Sequence, residues 1–296
     1  MEKRICVLTG GCGGMGHAIS LRLGKDHTML LADISAERLD AEKAALSKLG
    51  IEAETLVVDV GDRAQVDALA ERASGLGVVD TVLHAAGLSP AGAPAEQIIE
   101  VNALGTVNMV EAFQDKIAEG GVMIVFGSSA AWTLDPPEDW YESYARWNDP
   151  DFFDVLLSIV GEKEEDADED DEFFRAGQAY ALTKRFVCEF ARMNTVRFAE
   201  RGVRILSFSP GSYLTPMHQL LIDNQPDMAE AQMELTPLGR WGRPVEVAGF
   251  IEFLCSPLAG YVTGVDILAD GGTIAMQRVK QIGEGRWPWS STICSD

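Results

Sequence analysis

Tyr180 and Lys184 stand four residues apart in the stretch AYALTK. On a helix that spacing puts both side chains on one face, one turn apart. An isolated phenol ionises near pH ~10 and carries protons poorly at neutrality. A neighbouring ammonium favours the phenolate, so the spacing predicts a tyrosine whose pKa falls toward the working range. Such a group takes a proton from a hydroxyl or returns one to an alkoxide. A second constellation is TGGCGGMG, residues 9–16. Glycine permits positive φ and lets a backbone come close to a pyrophosphate, and a helix that follows presents free N–H groups and a positive dipole end to that anion. Gly10, Gly14, Met15 and Gly16 are the residues expected to do this. Asp33 ends the next apolar run, TMLLAD. A carboxylate there accepts hydrogen bonds from ribose hydroxyls and repels a 2′-phosphate. Ile34 and Ser35 follow it, so no arginine is expected where such a phosphate would need one, and NAD is predicted over NADP. Asp59, ending a third run, suits either the adenine amino group or a plain helix cap.

The elements that must carry these residues alternate along the chain. Apolar runs at 4–9, 28–33, 53–59, 78–87, 121–129, 203–211 and 264–272 read as strands. Helical periodicity appears at 14–23, 35–49, 62–73, 177–201 and 244–256. Strands interleaved with helices imply right-handed βαβ crossovers, and hence an α/β fold with a Rossmann-type doubly wound parallel sheet of about seven strands in the order 3-2-1-4-5-6-7, helices covering both faces. Residues 1–296 read as a single dinucleotide-binding catalytic domain. Residues 132–175 form an insertion before the helix of Tyr180, and 274–296 a C-terminal tail.

Composition narrows the function. The chain has 296 residues, 47% of them hydrophobic, with 46 acidic against 24 basic residues and a net charge of −22. Nucleic acid is excluded as an expected partner, because its phosphates need a basic surface. No apolar run reaches the roughly 20 residues of a membrane span, and a cytoplasmic location is expected. Five scattered cysteines and four separated histidines match no zinc or disulfide pattern, so no metal is expected. Nine acids and one lysine crowd residues 162–172, which read as a solvated loop.

Together, T9-G10-G11-C12-G13-G14-M15-G16 and Tyr180-x-x-x-Lys184 resemble the short-chain dehydrogenase/reductase family over residues 4–273. HAAG (84–87) is similar to that family's turn after the fourth strand and offers Ala86 and Gly87. VNALGT offers Asn102. GSSAA offers Ser128 and Ser129, the second of which matches the family's catalytic serine. PGSYLTP offers Pro210, Gly211 and Thr215, the last expected to reach the nicotinamide carboxamide, and Val60 follows Asp59 beside the adenine. The resemblance implies hydride exchange between NAD(H) and a secondary alcohol or ketone. Tyr180 moves the proton, Ser129 holds the substrate oxygen, Lys184 grips the ribose, and Asn102 orients a water behind Lys184. His84 is expected to be a packed substitute for a polar residue. An epimerase, dehydratase or lyase on the same fold, or a non-catalytic NAD-binding sensor, are the rival functions.

The insertion and the C-terminal half are most similar to the 3α-hydroxysteroid dehydrogenase/carbonyl reductase subgroup, which implies a bulky hydrophobic substrate, steroid-like or aromatic. Trp132, Trp140, Tyr141, Tyr144, Trp147, Phe152 and Phe153 can line an apolar pocket or pin the insertion to the body. Family members often pair as homodimers or homotetramers through the catalytic helix, and Phe186, Phe190, Met193 and Val196 have the spacing for such a face, or for core. The insertion is placed to block that pairing. Trp287 and Trp289 in the tail can fold over a partner or a substrate mouth.

Overall fold

The strands are short and apolar throughout, as parallel strands covered on both faces must be. They are β1 (Arg4–Thr9), β2 (Thr28–Asp33), β3 (Ala53–Val57), β4 (Val78–His84), β5 (Val122–Phe126), β6 (Arg204–Pro210) and β7 (Asp266–Ala269). The computed structural model describes residues 2–133, 136–161, 169–224 and 226–283. All seven strands run parallel in the order β3-β2-β1-β4-β5-β6-β7. Alternation divides the core in two. Ile5 and Val7 face α3 (Arg63–Leu76), α5 (Gly105–Phe113) and α8 (Glu169–Met193); Cys6 and Leu8 face α1 (Gly14–Leu23), α2 (Ala36–Lys48) and α12 (Pro244–Cys255). The strand order reverses between β1 and β4, and a cleft opens at the carboxyl ends of the strands there, where open α/β sheets bind ligands.

Between β4 and β5 the chain forms α4 (Ala95–Ile98), a π-helical turn (Ile99–Leu104) and α5, a helical run that the sequence reading left unassigned. Ile98, Ile99, Ala103, Met109 and Val110 fill the core from it. After β6, α10 (Pro216–Asn224) and α11 (Pro226–Glu234) form a small lobe over the cleft. The tail opens with α13 (Thr273–Gly283); Trp287 and Trp289 lie outside the described residues.

The insertion is more ordered than its sequence suggests. It begins as a 3₁₀ turn (Ser129–Trp132), continues as α6 (Glu138–Ala145) and α7 (Phe152–Val160), and passes into α8, which starts at Glu169, eight residues before Gly177. The second half of the acidic run is therefore helix rather than loop, its carboxylates in the first turns where the helix dipole favours them; residues 162–168 fall outside the description. Phe152, Leu156 and Val160 recur at four-residue spacing and are buried. The aromatics pin the insertion to α8. Tyr144 and Phe152 lie 5.4 and 5.1 Å from Phe186, and Trp147 lies 5.1 Å from Phe190. The Tyr144 hydroxyl donates to the Leu182 carbonyl at 2.8 Å. Trp132 stacks on the Arg185 guanidinium at 4.3 Å, and Arg185 Nη2 donates to the Tyr141 hydroxyl at 2.8 Å. Trp140 and Phe153 pack against the same core.

This packing consumes the expected pairing face. Phe186 and Phe190 are fully buried beneath the insertion, whereas Met193 and Val196 stay exposed. The helix expected over 177–201 also breaks at Asn194, whose Nδ2 donates to the Phe190 carbonyl at 2.8 Å, and resumes as α9 (Thr195–Ala199). Among the described residues no helix is long and apolar enough to cross a membrane, and no group of three His, Cys, Asp or Glu could hold a metal.

Candidate active site

The glycine turn leaves β1 at Gly10, whose φ of +67° is a left-handed value natural only to glycine. A Cβ on Gly10 would lie 2.9 Å from the backbone of Ala85 and Ala86, and one on Gly16 would lie 2.7 Å from the carbonyls of Gly10 and Gly11. These contacts hold the N-terminus of α1 tight against the ends of β1 and β4. Gly13 caps α1 without a side-chain acceptor, so the first N–H groups of the helix point into the cleft, as anion binding requires.

The cleft has a volume of about 1130 Å³ and gathers Gly10, Gly14, Met15, Gly16, Asp33, Asp59, Val60, Ala86, Gly87 and Thr215 into one lining. Asp33 is nearly buried at the end of β2. Asp59 bends its own chain by accepting from Gly61 N at 2.9 Å, while Asp62, not Asp59, caps α3. Thr215 and Pro216 cross to within 3.3 and 3.0 Å of a Cβ built on Gly14, closing the pyrophosphate stretch from above. Pro210 and Gly211 end β6 beside β7, where Gly211 N bonds Ala269 O at 2.9 Å. They are not in the lining.

Sequence reasoning missed Arg38. It lines the cleft, and its Nη2 approaches the Asp33 carboxylate at 3.4 Å. An arginine does therefore stand at the adenosine end, against the expectation drawn from Ile34 and Ser35. The signal was its place in the first turn of α2, one helical turn beyond the acid rather than next to it.

The catalytic candidates meet where α8 crosses the end of β5. Lys184 is buried and its Nζ donates to the Phe126 carbonyl at 2.8 Å. It lies 5.8 Å from the centre of the Tyr180 ring. A Cβ on Gly87 would fall 3.2 Å from Lys184 Nζ and 3.0 Å from Asn102 Oδ1, so both groups close around that glycine at the end of the cleft. Asn102 sits in the π-helical turn, a distortion often found at functional sites. Its Oδ1 accepts from Leu88 N at 2.8 Å, and its Nδ2 donates to Leu88 O at 3.0 Å and to Thr183 Oγ1 at 3.4 Å. It thereby ties the loop after β4 to the catalytic helix. His84 is buried behind the site with Nδ1 2.8 Å from Thr9 Oγ1, and burial first, then the Lys184 charge, lowers its pKa to about 3. It stays neutral, as a packed residue would.

Two expectations need correction. The serine hydrogen-bonded to the Tyr180 phenol is Ser128, not Ser129. β5 ends at Phe126 and the 3₁₀ turn begins at Ser129, so Ser128 remains extended and turns its hydroxyl to α8 while also accepting from Ala130 N at 3.2 Å. The Tyr180 pKa is raised, not lowered: burial is the largest influence and outweighs the opposing Ser128 hydrogen bond. Lys184 does not reverse this, because burial weakens its own hold on the proton and brings its pKa down to about 8.

The fold and these residues fit a nicotinamide dinucleotide: free N–H groups at α1, a glycine turn that admits no Cβ, a carboxylate at the adenosine end, and a tyrosine and lysine beyond. Comparison with known proteins agrees. Residues 4–142 match the short chain dehydrogenase family and residues 169–273 match the family described as Enoyl-(Acyl carrier protein) reductase. Short-chain dehydrogenase/reductase bsc3 of Alternaria brassicicola is 33% identical over 270 residues, covering 90% of this chain and 94% of that protein. Levodione reductase of Leifsonia aquatica is 27% identical over 92% of this chain and 94% of its own length. The solved structure of levodione reductase superposes with a TM-score of 0.72 at 25% identity, covering 92% of this chain and 98% of that one. A 7α-hydroxysteroid dehydrogenase complexed with NADH and 7-oxo glycochenodeoxycholic acid gives a TM-score of 0.71 at 21% identity, with 91% and 93% covered, a likeness of fold. A dinucleotide cleft that ends in Ser128, Tyr180 and Lys184, on a chain alike from end to end, leaves one conclusion: this protein is a member of the short-chain dehydrogenase/reductase family.

Proposed function

We propose that this chain, as one catalytic domain, is an NAD-dependent oxidoreductase that exchanges hydride with a secondary alcohol or ketone, bulky and hydrophobic. The observation that carries the reading is the Tyr180 phenol, hydrogen-bonded by Ser128, flanked by Lys184 and standing past the end of the glycine-lined cleft. The cofactor, when bound, supplies or accepts the hydride. Gly10, Gly14, Met15 and Gly16 cradle the pyrophosphate, and Asp33 takes the ribose hydroxyls. Lys184 holds the second ribose, and Thr215, Pro210 and Gly211 flank the nicotinamide.

Because burial raises the Tyr180 pKa, the phenol is protonated at neutral pH. That is the form needed to give a proton to a nascent alkoxide, so ketone reduction is the direction the resting site favours. Ser128 is the hydroxyl placed to steady the substrate oxygen as its charge grows. Asn102 fixes the loop at Leu88 against α8, holding Lys184 at the correct height. Asp33 favours NAD despite Arg38, whose charge the acid neutralises at 3.4 Å. Since the insertion buries Phe186 and Phe190, a homodimer would form through a surface other than α8.

The test is a panel of ketones and alcohols followed by NADH absorbance. Net NADH consumption coupled to alcohol formation supports the reading. Turnover without net change in NADH points to an epimerase or lyase, and NADH binding with no turnover across the panel points to a sensor.

A further inference from the structure

The face of α8 that carries the catalytic pair does not stop at Tyr180. Phe173, Gly177, Tyr180 and Lys184 are spaced four, three and four residues apart, which makes them one stripe along the helix. Phe173 therefore stands two turns, ~10 Å, before Tyr180. It belongs to the cleft wall with Ser89, Pro90 and Gln97. Between the two rings lies Gly177, and a Cβ built there meets nothing within 4 Å. Glycine weakens a helix interior, and Gly177 is not among the residues with positive φ that would demand it. Neither backbone conformation nor close packing explains it; open space above the helix does. The extension that presents Phe173 is fixed, because Arg175 pairs with Glu96 at 2.8 Å and donates to the Gly161 carbonyl at 3.0 Å. Asp171 and Glu172 beside it are exposed and disfavour a carboxylate at that end.

We propose that the Phe173–Gly177 stripe is the floor of a substrate groove, and that the substrate is an elongated, flat, uncharged ring ketone or alcohol. Its oxygen lies at Tyr180 and Ser128, its body passes over Gly177, and its distal ring rests against Phe173. This rests on the oxidoreductase reading above and narrows "bulky" to "long and thin along α8". The insertion thus acts on the substrate through the two extra turns it adds to the catalytic helix, while α6 and α7 serve to pin it.

The probes are cyclohexanone and 4-phenylcyclohexanone, and the variants are Gly177→Leu, which blocks the gap, and Phe173→Ala, which removes the far contact. Three quantities are read: kcat/KM for each ketone, the Kd for NADH by fluorescence, and binding of 4-phenylcyclohexanone to the NADH complex. The parent prefers the longer ketone, and each variant lowers the ratio of kcat/KM values, 4-phenylcyclohexanone over cyclohexanone, by about tenfold, the scale of one lost ring contact. A ratio unchanged in both variants overturns the groove. So does a Phe173→Ala variant that weakens NADH tenfold at constant ratio, since Phe173 would then be a cofactor wall. If the longer ketone binds the complex, loses that binding in Gly177→Leu and is never reduced, the groove stands and the oxidoreductase reading falls.

Discussion

Replacing Ser128 by Ala and, separately, Ser129 by Ala distinguishes two adjacent hydroxyls by their geometry. Ser128 bonds the Tyr180 phenol and accepts from Ala130 N at 3.2 Å. Its loss removes a donor placed at the reacting oxygen, worth about 2.7–4 kcal/mol in comparable sites, or ~10²–10³ in kcat. It also removes the cap of the 3₁₀ turn, at about 1 kcal/mol of stability. Since the Ser128 hydrogen bond is the influence that lowers the Tyr180 pKa, its removal raises that pKa further. The alkaline arm of the oxidation profile should then move to higher pH. Ser129 is half-buried at the start of the turn, and Ser129→Ala should alter kcat by about twofold, the scale of ±0.5 kcal/mol for a substitution outside such features. The assay is steady-state ketone reduction and alcohol oxidation across pH, with thermal melting to separate the cap effect. Ser128→Thr, which keeps a hydroxyl, should recover part of the rate. A Ser129→Ala variant that loses activity beside an active Ser128→Ala would refute the reasoning.

Other expectations follow from the same geometry. Asp33→Ala should lessen the preference for NADH over NADPH and release Arg38 toward a 2′-phosphate; an unchanged ratio of Kd values contradicts the ribose assignment. Gly10→Ala should abolish NADH binding, because its Cβ meets the Ala85 and Ala86 backbone at 2.9 Å with φ at +67°; calorimetric titration reads this. Lys184, with a pKa brought down by burial to about 8, loses its charge as pH rises through that value, so NADH affinity should fall above it and become flat with pH in Lys184→Met. Phe152→Ala should cost about 3–5 kcal/mol in denaturant unfolding, because this ring is buried against Phe186 at 5.1 Å.

The sheet and its order were legible in the sequence because a strand buried on both faces is a continuous apolar run, and β1, β2 and β5 are such runs. The glycine turn, Asp33, and the Tyr180–Lys184 pair were legible because local geometry alone fixes their spacing. What escaped depended on tertiary context. Ser128 and Ser129 are chemically identical, and only the point where β5 ends decides which one turns toward α8. Arg38 reaches Asp33 across a helix turn that adjacency in sequence does not show. The aromatics of the insertion look the same as pocket lining or as packing until Phe186 and Phe190 are seen beneath them. The direction of the Tyr180 shift was missed because burial, which raises a phenol, is invisible in a motif that shows only the neighbouring cation.

The account turns on Tyr180 as the proton-transfer group, and Tyr180→Phe tests it most directly, since it removes one oxygen and leaves the ring packed. With NADH affinity confirmed by fluorescence, the account predicts that reduction of any ketone the parent accepts falls by ~10²–10⁴. A Tyr180→Phe enzyme that binds NADH and reduces that ketone at the parent rate would contradict it.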